Sequence, residues 1–96
     1  HPMIGISLIN ELSTKFNENK VKVGYVVPNS PAAKSGILIG DIMLKIDQNI
    51  IKESSDVINA INKNGINKFA KITIKRNQKI IKLSIKPVDI RELAGN

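Results

Sequence analysis

Apolar residues fall in short runs along this chain, and their spacing changes from one run to the next. Met3-Ile4-Gly5-Ile6-Ser7-Leu8-Ile9 is aliphatic around a single glycine. A glycine inside a strand pattern marks a bulge, or a place where another backbone or a ligand comes close. Leu8, Leu12 and Phe16 recur four apart with Ser13-Thr14 between them, which predicts a short helical turn after the first strand. Polar Asn17 to Lys20 reads as a loop, and Val21 to Val27 as a largely buried strand. Pro28-Asn29-Ser30 stops that strand. Ser30 is a good N-cap, and Pro31 sits at the first helical position, where its missing N–H costs nothing. Ala32 to Ser35 complete one or two turns, and Gly36 suits a left-handed C-cap. Gly40-Asp41 turns the chain into Ile42–Ile46, with Ile42, Leu44 and Ile46 on one face. Asp47-Gln48-Asn49 is a turn and Ile50-Ile51 a very short strand. Ser54 or Ser55 caps a second helix carrying Val57, Ile58 and Ile61, which Gly65 ends. Ile72 and Ile74 alternate with Lys71, Thr73 and Lys75. After a turn at Arg76-Asn77-Gln78, Ile81, Leu83 and Ile85 alternate with Lys82, Ser84 and Lys86. That is a hairpin with one apolar and one basic face. Pro87 ends it, and residues 88–96 read as a tail or linker.

The pattern amounts to five or six short strands and two helices in one domain over residues 1–87. Short strands with few long helical patterns give a mainly β (α+β) fold, a small, partly open barrel or sandwich capped by helices. A chain of 96 residues buries roughly 60–65% of its unfolded surface, enough for one modest core. There is no internal repeat and no low-complexity block.

Composition removes several kinds of chemistry. The chain has no Cys and one His, His1, so no thiolate metal site, disulfide framework or Ser/His/Asp triad is expected from it alone. His1, at the chain end, reads as a linker residue. No cofactor and no metal are implied, and no set of acidic, His or Cys residues has catalytic spacing. Aromatic residues are confined to Phe16, Tyr25 and Phe69, which argues against base stacking or an aromatic cage. No apolar run approaches the ~20 residues that span a bilayer, and no signal-like segment opens the chain. The formal charge of +7 is compatible with anionic partners, but the lysines read as a solvated surface spread along the chain.

The run Pro28-Asn29-Ser30-Pro31-Ala32-Ala33-Lys34-Ser35-Gly36, followed by Gly40-Asp41, closely resembles the strand–helix–strand core of PDZ domains in bacterial secreted proteases. In the HtrA (Deg) family of trypsin-like serine proteases the core runs V-x-x-x-S-P-A-x-x-A/S-G-L-x-x-G-D-x-I, matched by Val27 through Ile42. The following I-x-x-I-D-G-x-x-I/V is matched by Ile42 to Ile50, with Gln48 in place of the usual glycine, so that Asn49 is expected to supply the positive φ. The opening Met3-Ile4-Gly5-Ile6 favours this family over the PDZ domains of carboxyl-terminal processing proteases or of intramembrane (site-2) metalloproteases. The resemblance spans residues 2–87 and implies a PDZ-like fold.

By that resemblance the chain binds and does no chemistry. The nucleophile motif Gly-Asp/Asn-Ser-Gly-Gly is absent from it, and no residue is expected to be catalytic. A PDZ domain captures the free C-terminus or an unfolded stretch of another protein by adding it as a strand to a sheet edge. The backbone of Ile4, Gly5 and Ile6 would hold the peptide carboxylate, with Gly5 leaving room for its approach. Ile4, Ile6, Ser7, Leu8, Ser54, Ile58 and Ile61 would form the groove and the pocket for an apolar last residue. Gly36, Gly40 and Asp41 are expected to be structural, with Asp41 accepting backbone N–H bonds in its turn. The parent would be an exported, trimer-based serine endopeptidase of protein quality control, in the periplasm or the lumen of an internal membrane system, with its signal upstream. This domain alone would be monomeric. The competing reading is a binder of nucleic acid or an anionic surface through Lys71, Lys75, Lys82 and Lys86.

Overall fold

The computed structural model of the chain describes residues 2–13, 18–89 and 91. Its elements follow in the order β1 (Pro2–Met3), β2 (Ile6–Ser13), β3 (Glu18–Val26), α1 (Pro31–Ser35), β4 (Ile42–Ile46), β5 (Asn49–Ile50), α2 (Ser54–Asn64), β6 (Ala70–Arg76), β7 (Lys79–Ile85) and β8 (Val88–Asp89). One antiparallel sheet runs β2-β3-β4-β6-β7, with β5 paired to β4, and β1 pairs with β8. α2 packs against β1, β2, β4 and β5, and α1 against β7. Between them lies a core in which Val23, Ile46, Ile72 and Ile74 have no exposed surface and Met43 and Ile85 almost none. The expected mainly β fold with two helices is present, and the final hairpin alternates as its pattern predicts. Its turn is the tight two-residue kind, with Asn77 and Gln78 at φ 51° and 69° between Arg76 and Lys79.

Several local expectations give way, among them the loop read over Asn17 to Lys20, of which Glu18 to Lys20 already belong to β3. Residues 8–13 form no helical turn: β2 pairs with β3 from Ile6↔Val26 to Ser13↔Glu18, with one register shift between Ser7 and Leu8. Leu8 and Leu12 lie four apart, a separation that satisfies the strand period of two as well as the helical one, and the cross-strand ladder decides. Phe16 lies outside the described residues. In β4, Ile42, Leu44 and Ile46 do not share a buried face. The pairing with β6 slips between Met43 and Lys45, so Leu44 is the extra residue of a bulge, and Met43 and Ile46 turn inward. In the turn after β4, Asp47 carries the positive φ, 51°, rather than Asn49. Asp47 is pinned there by β6: its N–H donates to the Lys71 carbonyl (2.7 Å) and its carboxylate accepts from the Lys71 N–H (2.9 Å). Finally, Glu53 rather than Ser54 or Ser55 caps α2, because Asp56 reaches back to accept from the N–H groups of Lys52 and Glu53. Pairing also continues past Pro87, where Met3↔Val88 and Pro2↔Asp89 join the two ends of the fold.

The motif around α1 folds as its residues dictate. Ser30 is fully buried and its hydroxyl accepts from the Ala33 N–H. Gly36 closes the helix at φ 95°. Asp41, 2% exposed, accepts from the Leu38 N–H (2.8 Å) as expected. It also takes two bonds from Arg76, Nε to Oδ1 and Nη2 to Oδ2, both 2.8 Å. The same Nη2 donates to the Gly36 carbonyl. The Asp41 hydrogen bond, more than simple charge proximity, raises the Arg76 guanidinium above its ordinary pKa. This clamp ties β6 to both ends of the α1–β4 loop, and no pattern along the chain announces it.

Candidate functional site

β2 has β3 on one side and, among the described residues, no strand on the other. α2 runs beside that free edge. Between them lies a groove of about 300 Å³, open to solvent. It gathers Ile4, Gly5, Ile6, Leu8, Ser54, Ile58 and Ile61, as the sequence leads one to expect, and adds Pro2, Met3 and Val57. Ser7 stands apart from it. Alternation turns Ser7 to the opposite, exposed face of β2, where it pairs with Tyr25. Pro2 and Met3 escape sequence reasoning because their place depends on β8, 85 residues along the chain. Val57 reads as core, and at 3% exposed it is core as well as groove floor.

Ile4 and Ile61 lie at the bottom, 5% and 3% exposed, whereas Ile58 stands at the rim with 59% of its surface in water. Covering such a residue contributes roughly 1–2 kcal/mol. No lining residue carries a charge.

The closed end of the groove is the bend from β1 into β2. The Ile4 carbonyl accepts from the Ala32 N–H and the Gly5 carbonyl from the Val27 N–H, both at 2.9 Å. No peptide bond here is cis, and in a trans peptide the N–H points opposite to the carbonyl before it. The N–H groups of Gly5 and Ile6 are therefore aimed away from α1 and β3. Gly5 earns its place differently from the expectation. A Cβ on it would lie 2.3 Å from the Ser30 Cβ, and its φ is +81°. The missing side chain makes room for Ser30, inside the fold, rather than for a ligand. The motif centred on α1 thus serves the groove indirectly, since Val27, Ser30 and Ala32 hold the bend in shape.

At the other end, Asn10 follows Ile6 and Leu8 on the same face of β2. Its side-chain amide donates to Ser54 Oγ (3.1 Å) and its carbonyl oxygen accepts from the Ser54 N–H (2.9 Å). This double link joins the edge strand to the first turn of α2.

Residues 2–86 match the PDZ domain family. The chain is a PDZ domain. It is 35% identical over 80 residues to the serine endoprotease DegS of Haemophilus influenzae, a match covering 83% of this chain and 23% of that protein. A shorter stretch of 45 residues, 47% of the chain, is 53% identical to the putative zinc metalloprotease CPE1693 of Clostridium perfringens and covers 13% of it. Among solved structures, the HtrA3 PDZ domain bound to the phage-derived ligand FGRWV superposes with a TM-score of 0.75 at 24% identity, over 91% of this chain and 85% of that one. The chain spans roughly a quarter or less of the length of its curated relatives, several of them HtrA-type serine proteases. The PDZ fold accounts for the architecture: a sheet edge left open beside a helix is where such domains receive a peptide.

Proposed function

We propose that this PDZ domain captures apolar C-termini, or unfolded segments, of other proteins for an exported HtrA-type serine protease. The observation that carries the reading is the free edge of β2 beside an uncharged apolar groove whose closed end presents the Gly5 bend. An incoming strand pairs with Ile6–Leu8. The N–H groups of Ile4, Gly5 and Ile6 receive its carboxylate, and its last side chain enters the pocket of Ile4, Ile6, Leu8, Ile58 and Ile61. The ligand seen on the related HtrA3 domain ends in valine, an apolar residue. Capture at such a groove is weak, micromolar or worse, because a flexible peptide is ordered over a small area. In the parent, substrate recruitment or regulation of the protease domain, for quality control in the periplasm or an internal lumen, follows from this capture. The protease domain supplies the trimer contacts, and the PDZ domain is a monomeric module.

The test is a titration of the isotopically labelled domain with short peptides ending in Val, Leu, Ile, Ala or Phe, each as free acid and as C-terminal amide. Free acids should shift the amide signals of Ile4, Gly5 and Ile6, and the amidated forms should not. If neither form moves them, capture at this groove is wrong.

The metalloprotease match over 45 residues favours a second parent, a zinc-dependent protease carrying the same module. Inhibition of the full-length protein separates the two. A serine-directed reagent should abolish its activity in the first case, and a chelator in the second.

A further inference from the structure

Lysines are spread along the chain, as its sequence suggests, but the net positive charge is segregated. Residues 57–88 contain eight Lys and Arg and no Asp or Glu, whereas the rest of the chain holds seven basic and eight acidic residues. The entire net charge therefore belongs to the end of α2, the β6–β7 hairpin and the loop between them. Coding bias towards lysine would not clear acidic residues from one third of the chain.

The hairpin places Lys71, Lys75 and Lys82 on one face. Thr73 pairs with Lys82 on β7 and with Lys45 on β4, and Lys71 and Lys75 flank it two residues away on β6. Opposite and next-but-one residues of a sheet share a face, about 5–7 Å apart. Four lysines thus surround one threonine, all four of them exposed. Like charges at this spacing repel. None of the four takes part in a salt bridge among the described residues. The carboxylate that reaches this face, Asp47, is engaged by the Lys71 backbone. Arg76, the one arginine of the hairpin, turns the other way to Asp41.

Two large apolar side chains border the lysines. Ile80, paired with Lys75, is 59% exposed. Phe69, just before β6, is 65% exposed, with the Lys86 ammonium 5.3 Å from its ring centroid. They stand roughly 20 Å apart along the strand direction.

We infer that this face docks the domain on an anionic lipid bilayer. Lysine ammonium groups are point charges that suit a diffuse anionic surface, whereas planar two-pronged recognition of a single carboxylate or phosphate calls for arginine. A lone aromatic ring is too few for a stacking platform along a nucleic-acid strand. A bilayer offers anionic headgroups to the lysines and, just beneath them, an apolar layer for Phe69 and Ile80. β2 and β7 are opposite edges of the sheet, so the peptide groove stays open while the lysine face is engaged. The inference does not depend on what the groove binds.

Flotation of the domain with vesicles tests it. Phosphatidylcholine vesicles containing phosphatidylglycerol should carry the domain at low salt and release it as salt rises, and pure phosphatidylcholine should not carry it. Lys71→Glu with Lys82→Glu should weaken the binding at least about tenfold. Lys20→Glu with Lys52→Glu, the same change of net charge off the hairpin, should change it by less than about twofold at physiological salt, where charges are screened beyond about 8 Å. Equal flotation with both lipids overturns the inference, as does equal weakening by the two charge-reversed pairs. It also fails if anionic vesicles do not carry the domain while a single-stranded oligonucleotide or polyglutamate binds it through the same lysines. Amide spectra confirm that each variant remains folded.

Discussion

Gly5 and Gly36 both have positive φ, yet their surroundings differ. A Cβ at Gly36 would meet nothing within 4 Å, and one at Gly5 would overlap the buried Ser30 side chain. Gly36→Ala should cost about 1–2 kcal/mol, the penalty of left-handed backbone alone. Gly5→Ala adds overpacking of about 1–3 kcal/mol. Urea denaturation should therefore place Gly5→Ala well below Gly36→Ala, and equal midpoints would show that Ser30 gives way freely. A similar asymmetry holds in the Asp41–Arg76 clamp. The Asp41 side chain is 2% exposed and that of Arg76 26%. Arg76→Met strands a buried carboxylate, whereas Asp41→Ala leaves a guanidinium that can turn towards water. Arg76→Met is expected to lower the urea midpoint more than Asp41→Ala, and the double variant Asp41→Leu/Arg76→Met to recover part of the loss.

At the scale of elements, legibility followed the range of the forces involved. α1 was readable in full because its cap, its proline and its closing glycine act within a few residues. The β6–β7 hairpin was readable because alternation and turn agree. β2 was misread where leucines four apart fit two periods at once, and β4 where a bulge reversed its faces. The cap of α2 falls one residue before Ser54 because Asp56 reaches back to the Lys52 and Glu53 N–H groups, while Ser54 itself is engaged from β2, 44 residues away, by Asn10. The structure brings Ile4, Gly5, Ile6, Leu8, Ser54, Ile58 and Ile61, the residues implied by the resemblance, to one groove, whereas the pleat turns the Ser7 side chain outward. The Asn10–Ser54 link has its own consequence for binding. A ligand strand that extends beyond Leu8 competes with it for space, and a ligand of about three residues does not. Each hydrogen bond is worth about 0.5–1.5 kcal/mol net. Asn10→Ala is therefore expected to tighten binding of six-residue peptides several-fold and to leave three-residue peptides unchanged. Calorimetric titration with both lengths checks this, and an equal change for both would place Asn10 outside the ligand's path.

Across the whole molecule, the site depends on residues at both ends of the fold. Pro2 and Met3 border the groove, but they form a strand of two residues whose partner is β8, Val88 and Asp89. Nothing so short holds itself in place. The Asn67 N–H donates to the Pro87 carbonyl at 2.8 Å and fixes the point from which β8 departs. Ile85 and the core beneath it are complete before that point. A chain ended after Pro87 should consequently fold with a small loss of stability, about 1–2 kcal/mol for a few backbone bonds. It should lose more in function, because a loosened β1 must be ordered again each time a peptide binds. The expected outcome is a three- to tenfold rise, roughly, in the dissociation constant for a free-acid peptide, with faster hydrogen exchange at Met3 and Ile4 and unchanged exchange in β6. Unchanged affinity and unchanged exchange would put the functional boundary at Pro87. A stability loss well above 3 kcal/mol, on the scale of a core truncation, would make β8 part of the core rather than a support for the groove.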